Sequence, residues 1–360
     1  MKPTQALHDL GQSLWLDNIT REILDNGTLR RYVAELSVTG LTSNPTIFDE
    51  AIGNGSAYDE GIQKKSRAGL IGEILFLELA LEDLRRAADV FRPMYDRTGG
   101  TDGWVSMEVS PLLASNTEAT IKSALNIHKL ANRPNLYVKI PGTAQGVPAI
   151  EAAIFAGVPV NVTLLFSREQ YLAVAGAYMR GLERRLAAGL DLRIGSVASL
   201  FVSRWDRAVS EKVPPALHNR LGVAVAMRTY RAHCELLETK RWRDLAAAGA
   251  LKQRMLWAST GVKDPKASAD LYVTALAAPE TIDTMPEKTL LAFAEHGRVK
   301  AVMPKDGGDA EKVLESFAEA GVDIDELAAK LQVEGAKSFV KSWVELLQRI
   351  SEKGAALAAS

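Results

Sequence analysis

The chain has 360 residues, of which 47% are hydrophobic and 24% are charged, and its formal net charge at pH 7 is −1. Such a composition is typical of a globular protein with a large core, and it lacks the basic excess that attracts nucleic acid. No segment approaches the roughly 20 apolar residues that a membrane span needs, so we expect neither a nucleic-acid partner nor a membrane partner.

Cysteine content and the first residues bear on the compartment. Cys234 is the single cysteine, so no internal disulfide can form, which fits a reducing compartment. The beginning, MKPTQALHDL, lacks the apolar segment of a signal peptide. We therefore expect a cytoplasmic protein.

Short β-rich segments alternate with longer helical ones along the chain. In chain order, the predicted strands are 13–18, 38–43, 103–110, 135–140, 158–166, 196–203, 254–259 and 271–276. Apolar residues at three-to-four spacing predict helices over 70–92, ending before Pro93, over 167–189, with Ser167 as the N-cap, and over 214–240.

Eight alternations of strand and helix predict a parallel sheet, and they favour a closed (β/α)8 TIM barrel. An open doubly wound sheet is the alternative, although no glycine-rich dinucleotide fingerprint follows any predicted strand. We expect a single domain over 1–360, with a helical insertion at about 46–102 after the second strand and a helical C-terminal extension at about 305–360.

The predicted strands become polar towards their C-terminal ends, where the active sites of such barrels lie. Residues two apart share a face of a strand, so several of these polar residues can point into the barrel together. The polar and aromatic candidates at or near the strand ends are Asp17, Thr42, Asn44, Glu108, Lys139, Asn161, Thr163, Ser199, Phe201 and Ser259.

Each of these residues also has a structural interpretation. Asn44 before Pro45 and Asp17 before a predicted helix are both suited to helix capping, and Glu108 is suited to a structural ion pair. Lys139 is harder to explain in this way, because lysine is almost never buried without a partner and its segment, NLYVKI, is otherwise mainly apolar.

A lysine removed from water favours its neutral form, and a neutral amine attacks a ketone to give a Schiff base. This is class I aldolase chemistry, for which Glu108 and Asp17 are suitable as acid and base. The five histidines, His8, His128, His218, His233 and His296, show no metal-ligand spacing, and we expect no metal or cofactor.

Six motifs together resemble the transaldolase family. They are GLTSNPTIF (40–48), VSMEVSP (105–111), NLYVKIPGT (135–143), VNVTLLFS (160–167), ASLFVSRWD (198–206) and LWASTGVKDP (256–265). The resemblance implies a (β/α)8 barrel that transfers a dihydroxyacetone unit from sedoheptulose 7-phosphate to glyceraldehyde 3-phosphate in the pentose phosphate pathway, which gives erythrose 4-phosphate and fructose 6-phosphate.

The resemblance also implies roles for individual residues. Lys139 is the Schiff-base lysine, Asp17 the acid/base for carbon–carbon cleavage, and Glu108 and Thr163 hold the water that carries protons. Substrate-binding roles fall to Asn44, Thr42, Asn161, Ser199, Phe201, Arg204, Ser259 and Lys263, with the phosphate on Arg204, Ser259 and Lys263.

Two positions depart from the family pattern. Many relatives have an arginine soon after the AS of strand seven, where this chain offers Lys263, and many have Ser-Pro-Phe where it has Ser199-Leu200-Phe201. The insertion and the tail resemble a longer bacterial branch, and their helical surfaces are compatible with a homodimer.

Two alternatives to a transaldolase remain open at this stage. One is a fructose 6-phosphate aldolase that releases free dihydroxyacetone, although such relatives usually have glutamine and tyrosine where this chain has Glu108 and Phe201. The other is a non-catalytic barrel scaffold.

Overall fold

The computed structural model of the chain describes residues 2–299 and 301–359, and within these residues eight parallel strands form one sheet. The strands are β1 (Ser13–Asp17), β2 (Val38–Thr42), β3 (Val105–Glu108), β4 (Leu136–Pro141), β5 (Val160–Leu165), β6 (Ser196–Phe201), β7 (Arg254–Ala258) and β8 (Ile282–Met285). They pair in the order β2-β1-β8-β7-β6-β5-β4-β3.

The two end strands of this order meet, so the sheet forms a nearly closed barrel. Leu41 N donates to Trp104 O at 3.0 Å, and Gly103 N donates to Thr39 O at 3.0 Å, which links β2 to the residues just before β3. The predicted (β/α)8 TIM barrel is thereby confirmed.

Helices lie between most of the strands and extend beyond the last one. They are α1 (Pro3–Asp9), α2 (Arg21–Asp25), α3 (Thr28–Glu35), α4 (Pro45–Asn54), α5 (Asp59–Arg67), α6 (Gly72–Arg97), α7 (Thr117–Ala131), α8 (Gly146–Phe155), α9 (Arg168–Ala187), α10 (Ser203–Val209), α11 (Leu221–Leu237), α12 (Lys240–Ala247), α13 (Leu271–Ala275), α14 (Glu287–His296), α15 (Ala310–Glu319) and α16 (Ile324–Ala359), with 3₁₀ turns at Pro111–Leu113 and Pro215–Leu217. None of the helices in the described residues combines the length and apolar character that crossing a bilayer requires.

The prediction of the eighth strand was wrong. Residues 271–276, LYVTAL, form helix α13, and the eighth strand is β8, with the sequence IDTM. A short run rich in β-branched and aromatic residues does not by itself separate a strand from a buried helical turn. Tyr272, Val273 and Leu276 are all buried in the helical form, so this conformation satisfies the apolar side chains.

Two helix boundaries also differ from the prediction. Helix α6 continues past Pro93 to Arg97. Proline cannot donate a hydrogen bond to the carbonyl of Asp89, four residues earlier. Both residues are exposed, so this carbonyl faces solvent and the helix tolerates the proline. The predicted helix over 214–240 is divided into the 3₁₀ turn at Pro215–Leu217, helix α11 and the first residue of α12. The N-cap at Ser167 is as predicted, with Gln170 N donating to Ser167 Oγ at 3.1 Å.

The insertion and the C-terminal extension are helical, as predicted, and they pack on each other. The extension ends in α16, where Arg349 Nε lies 2.5 Å from Asp49 on α4, and Lys353 Nζ lies 2.6 Å from Asp59 on α5. Trp343 on α16 makes an edge contact with Phe76 on α6, with 5.1 Å between the ring centroids. The insertion therefore supports the last helix of the chain.

The inside of the barrel is divided into an aromatic layer and a polar layer. Tyr137 stacks on Trp104, with ring centroids 3.9 Å apart, and Trp15 lies beside Tyr137 at 6.2 Å. Below them, Arg254 Nη2 donates to Ser13 Oγ at 2.7 Å. These side chains fill the N-terminal half, so the polar candidates occupy the C-terminal half.

Candidate active site

A cavity at the C-terminal ends of the strands brings together every predicted site residue except Glu108. Its lining includes Asp17, Thr42, Asn44, Lys139, Asn161, Thr163, Ser199, Phe201, Arg204, Ser259 and Lys263. Glu108 lines a narrower cavity alongside, together with Lys139 and Thr163. Residues from seven strands or the loops after them therefore converge on one lysine, as closure of the barrel requires.

Lys139 occupies the boundary between the two cavities. Its side chain is only 8% exposed, and Nζ donates to the backbone carbonyl of Ser43 at 2.6 Å. Glu108 Oε1 lies 2.8 Å from the same nitrogen. Register explains this contact, because Glu108 and Lys139 are partners in the β3–β4 ladder. The ion-pair interpretation of Glu108 is correct, but its partner is the candidate nucleophile.

Burial raises the pKa of both carboxyl groups above their ordinary values. For Glu108, the positive charge of Lys139 opposes the rise and the negative charge of Asp17 adds to it. For Asp17, Lys139 and hydrogen bonds with Thr42 and Asn44 oppose the rise. A carboxyl group with a raised pKa is a better proton acceptor than an exposed one, which suits both groups to proton transfer near neutral pH.

Neighbouring hydroxyl and amide groups orient Asp17. Thr42 Oγ1 donates to Asp17 Oδ1 at 2.8 Å and lies 2.7 Å from Thr284 Oγ1. Asn44 accepts a hydrogen bond from Ile47 N at 3.1 Å, which makes it the N-cap of α4. The capping interpretation of Asn44 is therefore correct, and its side chain lines the cavity as well. Asp17 itself caps no helix, since Thr20 is the N-cap of α2.

Three buried polar side chains form a chain of hydrogen bonds along one wall. Ser199 Oγ donates to Asn161 Oδ1 at 2.7 Å, and Asn161 Nδ2 donates to Ser106 Oγ at 3.2 Å. Because the carbonyl oxygen of Asn161 is occupied by Ser199, its orientation in the cavity is fixed.

A positively charged region forms the outer part of the cavity. Arg204 lies over the ring of Phe201, with its guanidinium carbon 5.0 Å from the ring centroid, and in the described part of the chain it makes no ion pair with a carboxylate. Burial, with a smaller contribution from the charge of Arg207, lowers the pKa of Arg204. Ser259, which has a left-handed φ of 56°, and the exposed Lys263 line the same region. An arginine without a carboxylate partner in a partly closed cavity is suited to binding an anion.

Six residues that line this cavity were not among the predicted site residues: Leu256, Ala258, Gly261, Thr284, Pro286 and Phe339. Thr284 and Pro286 follow from the true position of β8, and they were lost with the misplaced eighth strand. Phe339 comes from α16, and no local pattern in the sequence indicates that this helix reaches the mouth of the barrel. The alternation in IDTM was the available signal for Thr284.

Comparison with known proteins gives a consistent result. Residues 14–350 match the family model described as "Transaldolase/Fructose-6-phosphate aldolase". A "Transaldolase" of Thermobifida fusca is 45% identical over 98% of this chain and 99% of its own length, and one of Saccharopolyspora erythraea is 44% identical over 97% of each. A "Transaldolase" of Thiobacillus denitrificans is 42% identical over 97% of this chain and all of its own. The chain therefore belongs to the transaldolase/fructose-6-phosphate aldolase family.

Proposed function

We propose that this chain is a transferase that acts as a transaldolase through a Schiff base on Lys139. It moves a dihydroxyacetone unit from sedoheptulose 7-phosphate to glyceraldehyde 3-phosphate, as in the pentose phosphate pathway. The observation that carries the proposal is the contact of a buried lysine amine with Glu108, 2.8 Å away, in a cavity that Asp17 also lines. Full-length similarity to proteins named transaldolase supports the same activity.

Formation of the Schiff base uses Lys139, Glu108 and Thr163. Transfer of a proton from the ammonium group of Lys139 to Glu108 leaves two neutral groups, which burial favours. The free amine attacks the ketone carbon of the donor, and the carbinolamine loses water to give the iminium ion. Glu108 and Thr163 hold the water that carries protons in this step, which fits their place in the narrow cavity beside Lys139.

Cleavage and formation of the carbon–carbon bond use Asp17. Its carboxylate takes the proton of the donor hydroxyl on the carbon beyond the bond, the bond breaks, and its electrons pass into the iminium. The aldose phosphate leaves, and an enamine remains on Lys139. Attack of the enamine on the acceptor aldehyde reverses these movements, and Asp17 returns the proton to the new hydroxyl group.

The remaining cavity residues hold the sugar. Asn44, Thr42 and Asn161 bind hydroxyl groups of the covalent intermediate, Ser199 binds its terminal hydroxyl and Phe201 forms the wall beside it. The phosphate binds to Arg204, Ser259 and Lys263, which fits the positive charge at the outer part of the cavity. We further propose that the protein acts in the cytoplasm as one domain and forms a homodimer.

Reductive trapping tests the central step. Incubation with fructose 6-phosphate and borohydride is expected to leave a three-carbon adduct on the peptide that contains Lys139, found by mass spectrometry. Lys139→Ala is expected to lose the adduct, whereas Lys122→Ala, at an exposed lysine on α7, should keep it. Lys139→Arg is expected to fold normally and to have no turnover, because guanidinium stays protonated. An unmodified Lys139 would refute the Schiff-base proposal, and it is the result that a non-catalytic scaffold would give.

The family description also includes fructose 6-phosphate aldolases, so the acceptor requirement needs its own test. A transferase holds the dihydroxyacetone unit until an aldehyde arrives. Fructose 6-phosphate alone is therefore expected to react slowly, and addition of erythrose 4-phosphate should accelerate product formation at least tenfold. Rapid release of free dihydroxyacetone without acceptor would assign the chain to the aldolases instead.

A further inference from the structure

The long C-terminal helix α16 lies against the side of the cavity that contains Arg204. Gln332 Nε2 donates to the carbonyl of Gly142, after β4, at 3.1 Å and to the carbonyl of Leu164, in β5, at 3.0 Å. Leu164 has a left-handed φ of 59°, at the place where the β5–β6 pairing changes register. The first half of α16 is thus attached to the mouth of the barrel next to the strand that carries Lys139.

One face of α16 meets the cavity. Gln332, Gly335, Ala336 and Phe339 follow one another at the spacing of a single helix face. Ala336 lines the narrow cavity beside Glu108, and Phe339 lines both cavities. The helix therefore supplies part of the wall of the active site.

Gly335 on α16 leaves no room for a side chain beside Leu164 and Arg204. A Cβ atom at Gly335 would lie 2.9 Å from Leu164 Cδ2 and 3.0 Å from Arg204 Nη1, so any side chain there displaces one of these groups. Four residues later, the ring centroid of Phe339 lies 5.9 Å from the guanidinium carbon of Arg204, which also faces Phe201. The guanidinium of Arg204 lies against the rings of Phe201 and Phe339, and the lack of a side chain at Gly335 leaves room for it.

We propose that Gly335 and Phe339 are positioning residues that place the Arg204 guanidinium for recognition of the substrate phosphate. Neither residue needs to touch the reacting atoms. Aromatic faces attract a guanidinium, and Arg204 has no carboxylate partner among the described residues to fix it otherwise. This inference rests on the proposed phosphate-binding role of Arg204.

The measurement compares two acceptors, erythrose 4-phosphate and erythrose, with fructose 6-phosphate as the donor, so that both reactions release glyceraldehyde 3-phosphate. In a ping-pong reaction, kcat/KM for the acceptor reports only the second half-reaction, in which the enzyme carries a unit without phosphate. The ratio of the two kcat/KM values therefore measures recognition of the acceptor phosphate. A purely structural defect lowers both values and leaves their ratio unchanged.

Gly335→Ala is expected to lower this ratio at least tenfold. Gly354→Ala is the matched control, because it lies on the same helix and gains the same helix propensity, while its Cβ meets Ser66 Oγ at an ordinary 3.4 Å. The control should stay within twofold of the wild-type ratio. Phe339→Leu, which keeps an apolar side chain but removes the ring, is expected to lower the ratio about threefold and provides a second test if Gly335→Ala does not fold.

Arg204→Gln distinguishes the phosphate-binding role of Arg204 from the positioning role of Gly335 and Phe339. It should lower the ratio strongly, and Gly335→Ala should add little in the Arg204→Gln background, because both changes act through one group. If Arg204→Gln lowers the ratio but Gly335→Ala and Phe339→Leu do not, the positioning role is refuted and the phosphate role of Arg204 stands. If Arg204→Gln leaves the ratio unchanged, the phosphate role itself is refuted.

Discussion

Two carboxyl groups, the buried Glu108 and the partly buried Asp17, interact with the charge of Lys139, and their positions differ. Glu108 contacts the amine at 2.8 Å, so it is placed to exchange protons with Lys139 and with a carbinolamine formed there. Asp17 accepts a hydrogen bond from Thr42, its register partner on β2, and is placed for the sugar hydroxyl. The difference in contacts predicts that the two residues serve different steps.

Asp17→Asn tests this division. The variant retains Glu108 and Lys139, so fructose 6-phosphate should still form a Schiff base, while turnover falls by about 10²- to 10⁴-fold because no base remains for bond cleavage. Borohydride should then trap a six-carbon sugar phosphate on Lys139 instead of a three-carbon unit.

Glu108→Gln is the complementary control for this experiment. Formation of any adduct should become slow, because the amine loses its nearest proton acceptor. Equal loss of trapping and turnover in Asp17→Asn would contradict the division of roles.

At the scale of elements, the bounds of the first seven strands could be predicted from the sequence, and the eighth strand could not. Strands β1 to β7 all lie within two residues of their predicted bounds, with the largest differences at β3, β5 and β6. The apolar segments in these strands are bounded by clear turn residues. The eighth strand was misplaced because 271–276 has strand composition but folds as α13, and a four-residue strand such as β8 gives little periodicity to detect.

The packing of the insertion against the C-terminal extension could not be predicted from the sequence either. Their helical character follows from apolar spacing, but their mutual packing depends on pairs far apart in the chain, such as Asp49 with Arg349. The same packing delivers Phe339 to the cavity. A helix that appears as an appendage in the sequence is therefore part of the active-site wall.

At the scale of the whole molecule, closure of the barrel depends on a close approach at Gly40. A Cβ atom there would lie 2.6 Å from Trp15 Nε1 and 2.7 Å from Trp104 O. That carbonyl accepts the hydrogen bond from Leu41 N that links β2 to the residues before β3. The backbone oxygen cannot move aside without breaking the closing contact.

Gly40→Ala is therefore expected to lower the free energy of unfolding by about 1–3 kcal/mol, the usual cost of an extra methyl group in a packed interior. Urea denaturation provides the measurement. Gly55→Ala, where a Cβ meets only Ala51 O at 3.8 Å, should change the free energy by less than about 0.5 kcal/mol. Equal stabilities for the two variants would show that closure tolerates a side chain at position 40.

The amino-acid sequence alone was enough to predict the barrel, the polar ends of its strands and the lysine inside an apolar segment. These features depend on residues close together in the chain, where alternation and turn chemistry operate. The contact of Glu108 with Lys139, the true eighth strand and the arrival of Phe339 beside Arg204 required the tertiary structure. Each of these depends on the register of strands or on the packing of segments distant in sequence, which local patterns do not encode.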